Sequence, residues 1–221
     1  MTRRFAMLAA LIALFSAPAL HAHEVAPPVP EKNAPALEYV VLETTRGDIK
    51  LALEVERAPI TAANFLRYVE EDRFDGTVFY RAMRLDWGEG RNGLIQGGTQ
   101  NDPERILEPI AHEPTTQTGI EHEVGTISMA RFAPGTATGD FTITLSPMPG
   151  LDANPGADNP DLHDGFAAFG RVVEGMDVVR AIFDAPLDPD AGEGWMKGQM
   201  LAEPVTITTA RRIESADAES E

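Results

Sequence analysis

Short β-rich segments recur along most of this chain, and their spacing constrains the fold more than any other feature. They are rich in β-branched and aromatic residues and are separated by turn residues such as Arg46-Gly47-Asp48 and Asp75-Gly76. The predicted strands are residues 39–44, 49–54, 77–81, 94–96, 125–130, 141–145, 166–173 and 205–209. Many short strands with few helices are typical of a mainly β protein, and we predict a closed antiparallel β-barrel.

Two segments have the periodicity of an α-helix. Pro59 can begin the first helix, because a proline in the first turn loses no hydrogen bond. The second helix is predicted from about Gly175 to Phe183. Residues 101–124 and 146–165 are then predicted to be surface loops, which on a rigid barrel often shape a binding face. The apolar faces consist of Ala62, Phe65, Leu66 and Val69 in the first helix and of Met176, Val179 and Phe183 in the second.

The N-terminus, residues 1–22, has the pattern of a secretion signal. Two arginines precede the apolar run 5–15, which is too short to span a bilayer, and small residues follow it. Cleavage is expected after Ala19 or Ala22. An N-terminal membrane helix or a buried helix is the alternative interpretation.

The rest of the chain divides into a linker, one domain and a tail. Residues 23–36 are rich in Pro, Ala and Glu and are predicted to be a flexible linker, and residues 214–221 are predicted to be an acidic disordered tail. Residues 37–213 are long enough for one domain with a buried core. The chain has no cysteine, so it forms no disulfide and carries no bacterial lipid anchor. We therefore expect a periplasmic or secreted protein with no membrane attachment after signal cleavage.

The formal net charge of −17 excludes some partners. Nucleic acid is not expected as a partner, because phosphate binding requires a basic surface. The acidity is interpreted as a solvated surface or, alternatively, as attraction for basic client proteins. We expect a monomer.

Phe79-Tyr80-Arg81 and, further on, Leu94-Ile95-Gln96-Gly97-Gly98 are the motifs most informative about function. A guanidinium that is always charged lies among apolar strand residues, with an amide nearby. This pattern indicates a cation held at the mouth of an apolar hollow and oriented by the glutamine. The alternative for Arg81 is a surface arginine paired with an acid. The alternative for Gln96 is a polar residue at a strand end.

Over residues 38–213 the chain resembles the cyclophilin family of peptidyl-prolyl isomerases. The resemblance is carried by Phe79-Tyr80-Arg81, Ile95-Gln96-Gly97-Gly98, Ser128-Met129-Ala130 and the run from Phe169 to Met176. It implies an eight-stranded barrel with a helix capping each end. It also implies isomerisation of Xaa-Pro bonds in unfolded or partly folded proteins, without a cofactor or a metal.

The resemblance further implies roles for individual residues. Arg81 is the expected catalytic donor to the proline nitrogen, and Gln96 is expected to orient Arg81 and bind the substrate backbone. Core packing is the alternative for Phe79 and Leu94, although both roles can apply to the same residue. A solvent-exposed side chain is the alternative for Arg131. The expected substrate-binding residues are Phe79, Leu94, Met129, Ala130, Arg131, Asp140, Phe141, Thr142, Leu151 and Phe166.

The sequence departs from the family at several of these positions. Gly93 and Thr142 stand where the family usually has pocket phenylalanines, and Gly150 replaces a tryptophan that the family uses to bind cyclosporin. These changes predict a weakened pocket unless Trp87 or Phe166 supplies the lost apolar area. A client-binding module without enzymatic activity is therefore the alternative function. A weaker alternative is a barrel that binds a fixed partner through its acidic loops.

Two other motifs lack residues that they require. His112-Glu113 begins like a zinc-protease motif, but Thr116 stands where the second histidine is required. Residues 152–163 alternate like a calcium loop, but Ala157 occupies the glycine position and His163 the glutamate position. No metal site is predicted.

Overall fold

The computed structural model describes residues 36–88 and 90–214, and these form one compact unit. The predicted signal peptide, nearly all of the predicted linker and all of the predicted tail except Glu214 lie outside the described residues. None of the helices among the described residues has the length and apolar character needed to cross a membrane.

Nine strands and four α-helices make up the described part of the chain. The strands are β1 (Glu38–Thr44), β2 (Gly47–Leu53), β3 (Val78–Arg84), β4 (Gly93–Gly98), β5 (Thr126–Met129), β6 (Asp140–Thr144), β7 (Ala168–Glu174), β8 (Leu187–Asp188) and β9 (Met200–Ile213). The helices are α1 (Pro59–Glu70), α2 (Thr115–Thr118), α3 (Pro160–Asp164) and α4 (Met176–Phe183). The predicted strands and both predicted helices are therefore present, with boundaries shifted by a few residues.

Eight of the strands form a closed antiparallel barrel. Their order around the ring is β1, β2, β7, β5, β6, β4, β3 and β9, and β9 pairs again with β1. The short strand β8 pairs only with β9 and adds a small hairpin outside the ring. Closure leaves no unpaired sheet edge in the ring, which confirms the predicted barrel.

The core lies inside the barrel and contains a cluster of aromatic side chains. Phe65 on α1 contacts three other rings, with centroids 4.9 to 5.4 Å apart. Its partners are Phe74, Phe141 and Phe169, all of them fully buried. Helix α4 adds Val179, Ile182 and Phe183 to the same core. Both predicted helices thus bury their apolar faces against the barrel.

The loop residue Glu113 stabilises the start of α1. Its carboxylate accepts hydrogen bonds from the backbone nitrogens of Ile60 and Thr61, at 3.2 and 2.8 Å, and from the Thr61 hydroxyl at 2.7 Å. Ala58 at the cap position has no side chain that could do this. A carboxylate here satisfies free N–H groups and interacts favourably with the helix dipole. The residue that resembled part of a zinc motif is therefore a helix cap.

The two long segments predicted as surface loops are anchored to the barrel. Each contains a short helix, α2 or α3, and each places some side chains in the interior. Glu113 and His122 are each only 1% exposed, and Met148 is 9% exposed. These segments therefore hold fixed positions beside the site described next.

Candidate active site

A pocket of about 590 Å³ opens on the outer face of β3, β4 and β6. Side chains alternate across each strand, so Ile95 and Ile143 point into the core while their neighbours point outward. Nine of the twelve predicted site residues line this pocket. They are Arg81, Leu94, Gln96, Ala130, Arg131, Asp140, Thr142, Leu151 and Phe166.

Three predicted substrate-binding residues lie in the core instead. Phe79, Met129 and Phe141 are at most 2% exposed and belong to the interior cluster, and the rings of Phe79 and Phe141 are 5.7 Å apart. For Phe141 the reason is strand alternation, because its neighbours Asp140 and Thr142 face outward. For Phe79 the core-packing alternative applies.

A register shift separates Phe79 from Arg81. The pairing of β3 with both β4 and β9 changes between these two residues. Regular alternation would place residues two apart on the same face, but an extra residue in the strand reverses this relationship. Phe79 can therefore pack inside the barrel while Arg81 lines the outer pocket.

Arg81 is buried and held by three neighbours. Its Nη1 donates to Gln96 Oε1 at 2.6 Å, and its Nε and Nη2 donate to Gln199 Oε1 at 2.9 and 2.7 Å. The ring of Trp195 lies 4.5 Å from Arg81 Cζ. Burial lowers the pKa of Arg81 to about 10, so the guanidinium stays charged at neutral pH. The interpretation of Arg81 as a surface arginine paired with an acid does not agree with this environment.

Gln96 connects Arg81 to a second buried polar pair. Its Nε2 donates to the hydroxyl of Tyr80 at 2.6 Å, and the buried carboxylate of Asp140 lies near this hydroxyl. Burial and the nearby Asp140 carboxylate raise the pKa of Tyr80, so the phenol stays protonated at neutral pH. Hydrogen bonds thus connect Arg81 through Gln96 to Tyr80.

Asp140 is fixed by backbone donors from the segment after β4. Its Oδ1 accepts from the nitrogen of Gln100 at 2.8 Å and its Oδ2 from the nitrogen of Asn101 at 3.2 Å. Both donors have left-handed backbone conformations, with φ of 52° and 55°. Burial raises the pKa of Asp140, and these two N–H groups partly offset that effect. Asp140 is thus a buried carboxyl group at the pocket wall.

Arg131 forms the opposite part of the wall together with Phe166. The Arg131 side chain is only 1% exposed, which contradicts the solvent-exposed alternative. Its guanidinium donates to the carbonyl of Gly165 and to Asp161 Oδ1, and its Cζ lies 4.5 Å from the centre of the Phe166 ring. Arg131 thereby attaches the segment around α3 to the pocket.

Sequence reasoning missed the contribution of the segment before β9. Trp195, Met196 and Met200 line the pocket, and Gln199 binds Arg81. Trp87, one of the two residues that could supply the lost apolar area, is 68% exposed and is not among the lining residues. The missed signal is a tryptophan within a glycine-rich turn, at Gly194-Trp195-Met196. Phe166, the other candidate, does line the pocket.

The two glycine replacements have different structural settings. Gly93 has φ of 143°, and a Cβ atom there would lie 1.9 Å from the carbonyl oxygen of Met83, so no other residue fits this backbone. Gly150 faces open space, with no heavy atom within 4 Å of a Cβ atom. Thr142 lines the pocket and its hydroxyl lies 3.4 Å from the carbonyl oxygen of Ser128.

The side chains of Ser128, His122 and Asp152 are hydrogen-bonded in series beside the pocket. His122 Nδ1 is 2.6 Å from Asp152 Oδ1, and His122 Nε2 is 2.9 Å from Ser128 Oγ. Ser128 is fully buried, so a substrate cannot reach its hydroxyl as a nucleophile. These hydrogen bonds instead connect β5 to the segment that carries Leu151. Across residues 36–88 and 90–214, no three His, Cys, Asp or Glu side chains come together as possible metal ligands.

Comparison with known proteins agrees with this geometry. The sequence model of the family described as "Cyclophilin type peptidyl-prolyl cis-trans isomerase/CLD" matches residues 39–212. A peptidyl-prolyl cis-trans isomerase of Acinetobacter baylyi is 34% identical over 70% of this chain and 76% of its own length. One from Streptomyces antibioticus is 33% identical over 79% of this chain and 98% of its own.

Solved structures share the fold. A cyclophilin-type isomerase of Cryptosporidium parvum superposes with a TM-score of 0.61 at 20% identity, covering 81% of this chain and 99% of that chain. A second structure of that protein, determined in the presence of the dipeptide Ala-Pro, has a TM-score of 0.61 at 19% identity and covers 80% and 99%. The family match extends over the whole barrel and includes the pocket. The chain therefore belongs to the cyclophilin-type peptidyl-prolyl cis-trans isomerase family.

Proposed function

We propose that this isomerase acts on Xaa-Pro bonds of exported proteins while they fold, in a periplasm or outside the cell. The support is the secretion-signal pattern of residues 1–22 and the absence of cysteine from the chain. The expected substrates are unfolded or partly folded proteins, because an Xaa-Pro bond must be accessible to enter the pocket. Uncatalysed isomerisation takes tens of seconds or more and can limit folding.

The reaction needs no bond to be made or broken, only rotation about the peptide bond. The barrier is about 18–20 kcal/mol, because the nitrogen shares its lone pair with the carbonyl group. In the twisted state this lone pair returns to the nitrogen and can accept a hydrogen bond. A donor that is already in place stabilises the twisted state without reorganisation.

Arg81 is the residue that meets this requirement. Among the described residues, its hydrogen bonds to Gln96 and Gln199 use three of its five N–H groups, which leaves one on each terminal nitrogen for a substrate. It lines the pocket and stays charged at neutral pH. The buried, oriented guanidinium at an apolar pocket is the observation that carries the proposal.

The apolar wall is suited to hold a proline ring. Met83, Leu94, Leu151 and Phe166 line the same pocket as Arg81. Gln96 has one amide N–H left after its bond to Tyr80 and can donate it to a backbone carbonyl of the substrate. A structure of the Cryptosporidium parvum relative was determined in the presence of the dipeptide Ala-Pro, which supports proline-containing peptides as ligands.

A proline-limited refolding assay tests the catalytic role of Arg81. Arg81→Ala is expected to lower the catalysed rate on the order of a hundredfold, as for loss of one preorganised donor. Arg180→Ala is the matched control, because Arg180 is an exposed arginine on α4. Equal rates for wild type and Arg81→Ala, with peptide binding retained, would contradict the proposal and favour a client-binding module.

Export is tested separately. Residues 1–22 fused to a reporter enzyme that is active only outside the cytoplasm should give activity, and the mature protein should begin after Ala19 or Ala22. A reporter that stays inactive, with an uncleaved N-terminus on the full chain, would contradict the exported location without affecting the isomerase assignment.

A further inference from the structure

The hairpin loop between β8 and β9 folds against Arg81. Leu187 pairs with Leu201, so residues 189–199 form the loop of this hairpin. At its end, the backbone nitrogen of Ala82 donates to the carbonyl of Gln199 at 2.9 Å. This backbone contact places Gln199 beside β3, one residue away from Arg81.

The Gln199 side chain binds one edge of the guanidinium through two hydrogen bonds. Its Oε1 accepts from Nε and from Nη2 of Arg81, whereas Gln96 accepts from Nη1. A contact to two donors on one edge of a planar group restricts its rotation as well as its position. Gln199 is itself oriented, because its Nε2 donates to the carbonyl of Trp195 at 2.9 Å.

Trp195 completes this arrangement from above the guanidinium plane. Its ring centre lies 4.5 Å from Arg81 Cζ, a distance suited to a cation–π contact. The side chain is nevertheless 72% exposed and lines the pocket. The loop therefore supplies both an edge contact and a face contact to the same cation.

We propose that Gln199 is a positioning residue for isomerisation, acting through Arg81. This inference rests on the proposed role of Arg81 as the donor to the proline nitrogen. Without Gln199, the guanidinium would be hydrogen-bonded at a single nitrogen, by Gln96, and could turn about that contact against the Trp195 ring. Gln199 holds the second edge, so that the two remaining N–H groups face the pocket in one orientation before the substrate arrives.

The test uses Gln199→Met in the full mature chain, because methionine keeps the length of the side chain and lacks the acceptor. We expect kcat/KM to fall roughly tenfold, mainly through kcat, since a hydrogen bond to a charged group is lost. Gln117→Met, at an exposed glutamine on α2, is the matched control and should keep wild-type activity. Thermal unfolding of both variants separates a folding defect from a positioning defect.

A double-mutant cycle decides whether Gln199 acts through Arg81. In an Arg81→Ala background, Gln199→Met should cause no further loss of activity, because there is no guanidinium left to orient. An equal loss in both backgrounds would overturn the proposal, since Gln199 would then act independently of Arg81. An unchanged activity of Gln199→Met in the wild-type background would also overturn it.

The NMR signal of the Arg81 Nε–H group tests the contact without an activity measurement. The signal is assigned by its loss in Arg81→Lys. It should shift and exchange faster with water in Gln199→Met, and return toward the wild-type exchange rate in Gln199→Glu, which restores an acceptor. An unchanged signal would overturn the positioning role. Wild-type isomerase activity in Arg81→Ala would instead contradict the proposed function. The failure of this inference and the failure of the proposed function therefore give different results.

Discussion

The amide nitrogen of Gln96 lies 2.6 Å from the phenolic oxygen of Tyr80, and this contact determines which end of the amide faces Arg81. A phenolic oxygen has lone pairs that can accept a hydrogen bond, whereas an amide nitrogen can only donate. The Gln96 oxygen is then directed to Arg81 Nη1 at 2.6 Å. Tyr80 thus contributes to the orientation of the candidate catalytic arginine.

Tyr80→Phe should therefore lower activity. Without the hydroxyl, Gln96 loses the acceptor that orients its amide. We expect kcat/KM to fall about tenfold and the free energy of unfolding to fall by about 1–3 kcal/mol, because buried polar groups are left unpaired. Proline-limited refolding and urea unfolding measure the two effects. Tyr39→Phe, on β1, is the matched control, and a Tyr80→Phe enzyme with wild-type activity would show that Gln96 is oriented by other contacts.

His122 should make the protein less stable at mildly acidic pH. Burial lowers the pKa of His122, although Asp152 partly opposes this effect. The folded state therefore takes up the proton at a lower pH than the unfolded chain, whose histidine pKa is about 6.5. The stabilisation associated with neutral His122 is present above about pH 6.5 and is lost as the pH falls from that value toward the folded pKa.

Urea unfolding at pH 7, 6 and 5 measures this loss. The free energy of unfolding of the wild type should decline by up to about 1.4 kcal/mol per pH unit in the acidic part of this range. His122→Gln should be less stable at pH 7 but should show a smaller decline. His163→Gln is the control, because His163 is exposed on α3. The same decline in His122→Gln as in the wild type would assign the pH dependence to other groups.

Gly150→Trp should strengthen cyclosporin binding. The family resemblance assigns the indole at this position to cyclosporin contact, and Gly150 has open space around a Cβ atom. Stability should change by only about 0.5 kcal/mol, as for other surface substitutions. Calorimetry should show affinity increased about tenfold or more, because a tryptophan is often a dominant contact in an interface. Gly150→Ala is the control, and equal affinity in both variants would show that the pocket lacks other necessary contacts.

Local sequence patterns were sufficient for the barrel and for its central motifs. Turn residues between short β-rich segments predicted the strands, and the helical spacing after Pro59 predicted α1. These patterns depend on neighbours within a few residues, so they can be recognised without the tertiary structure. The order of Arg81 and Gln96 along two strands was also visible, and the strands pair as neighbours in the barrel.

The faces of the strands were harder to predict. Phe79 and Arg81 are two residues apart, yet one is in the core and the other lines the pocket, because the register shifts between them. A single inserted residue reverses the pattern for the rest of a strand, and nothing local in Phe79-Tyr80-Arg81 reveals it. Phe141 is a different case, because regular alternation along β6 places it in the core while Asp140 and Thr142 line the pocket.

The sequence by itself predicted a barrel from short-range strand and turn patterns, and the resemblance to the cyclophilin family implied its eight strands and the role of the guanidinium at the pocket. Only the tertiary structure decided what surrounds that guanidinium. Gln199 lies 118 residues from Arg81 along the chain, and His122 meets Asp152 across 30 residues. Such contacts exist because closing the ring brings β9 next to β3 and packs the long loops against the barrel, and no local pattern encodes which distant side chains then meet.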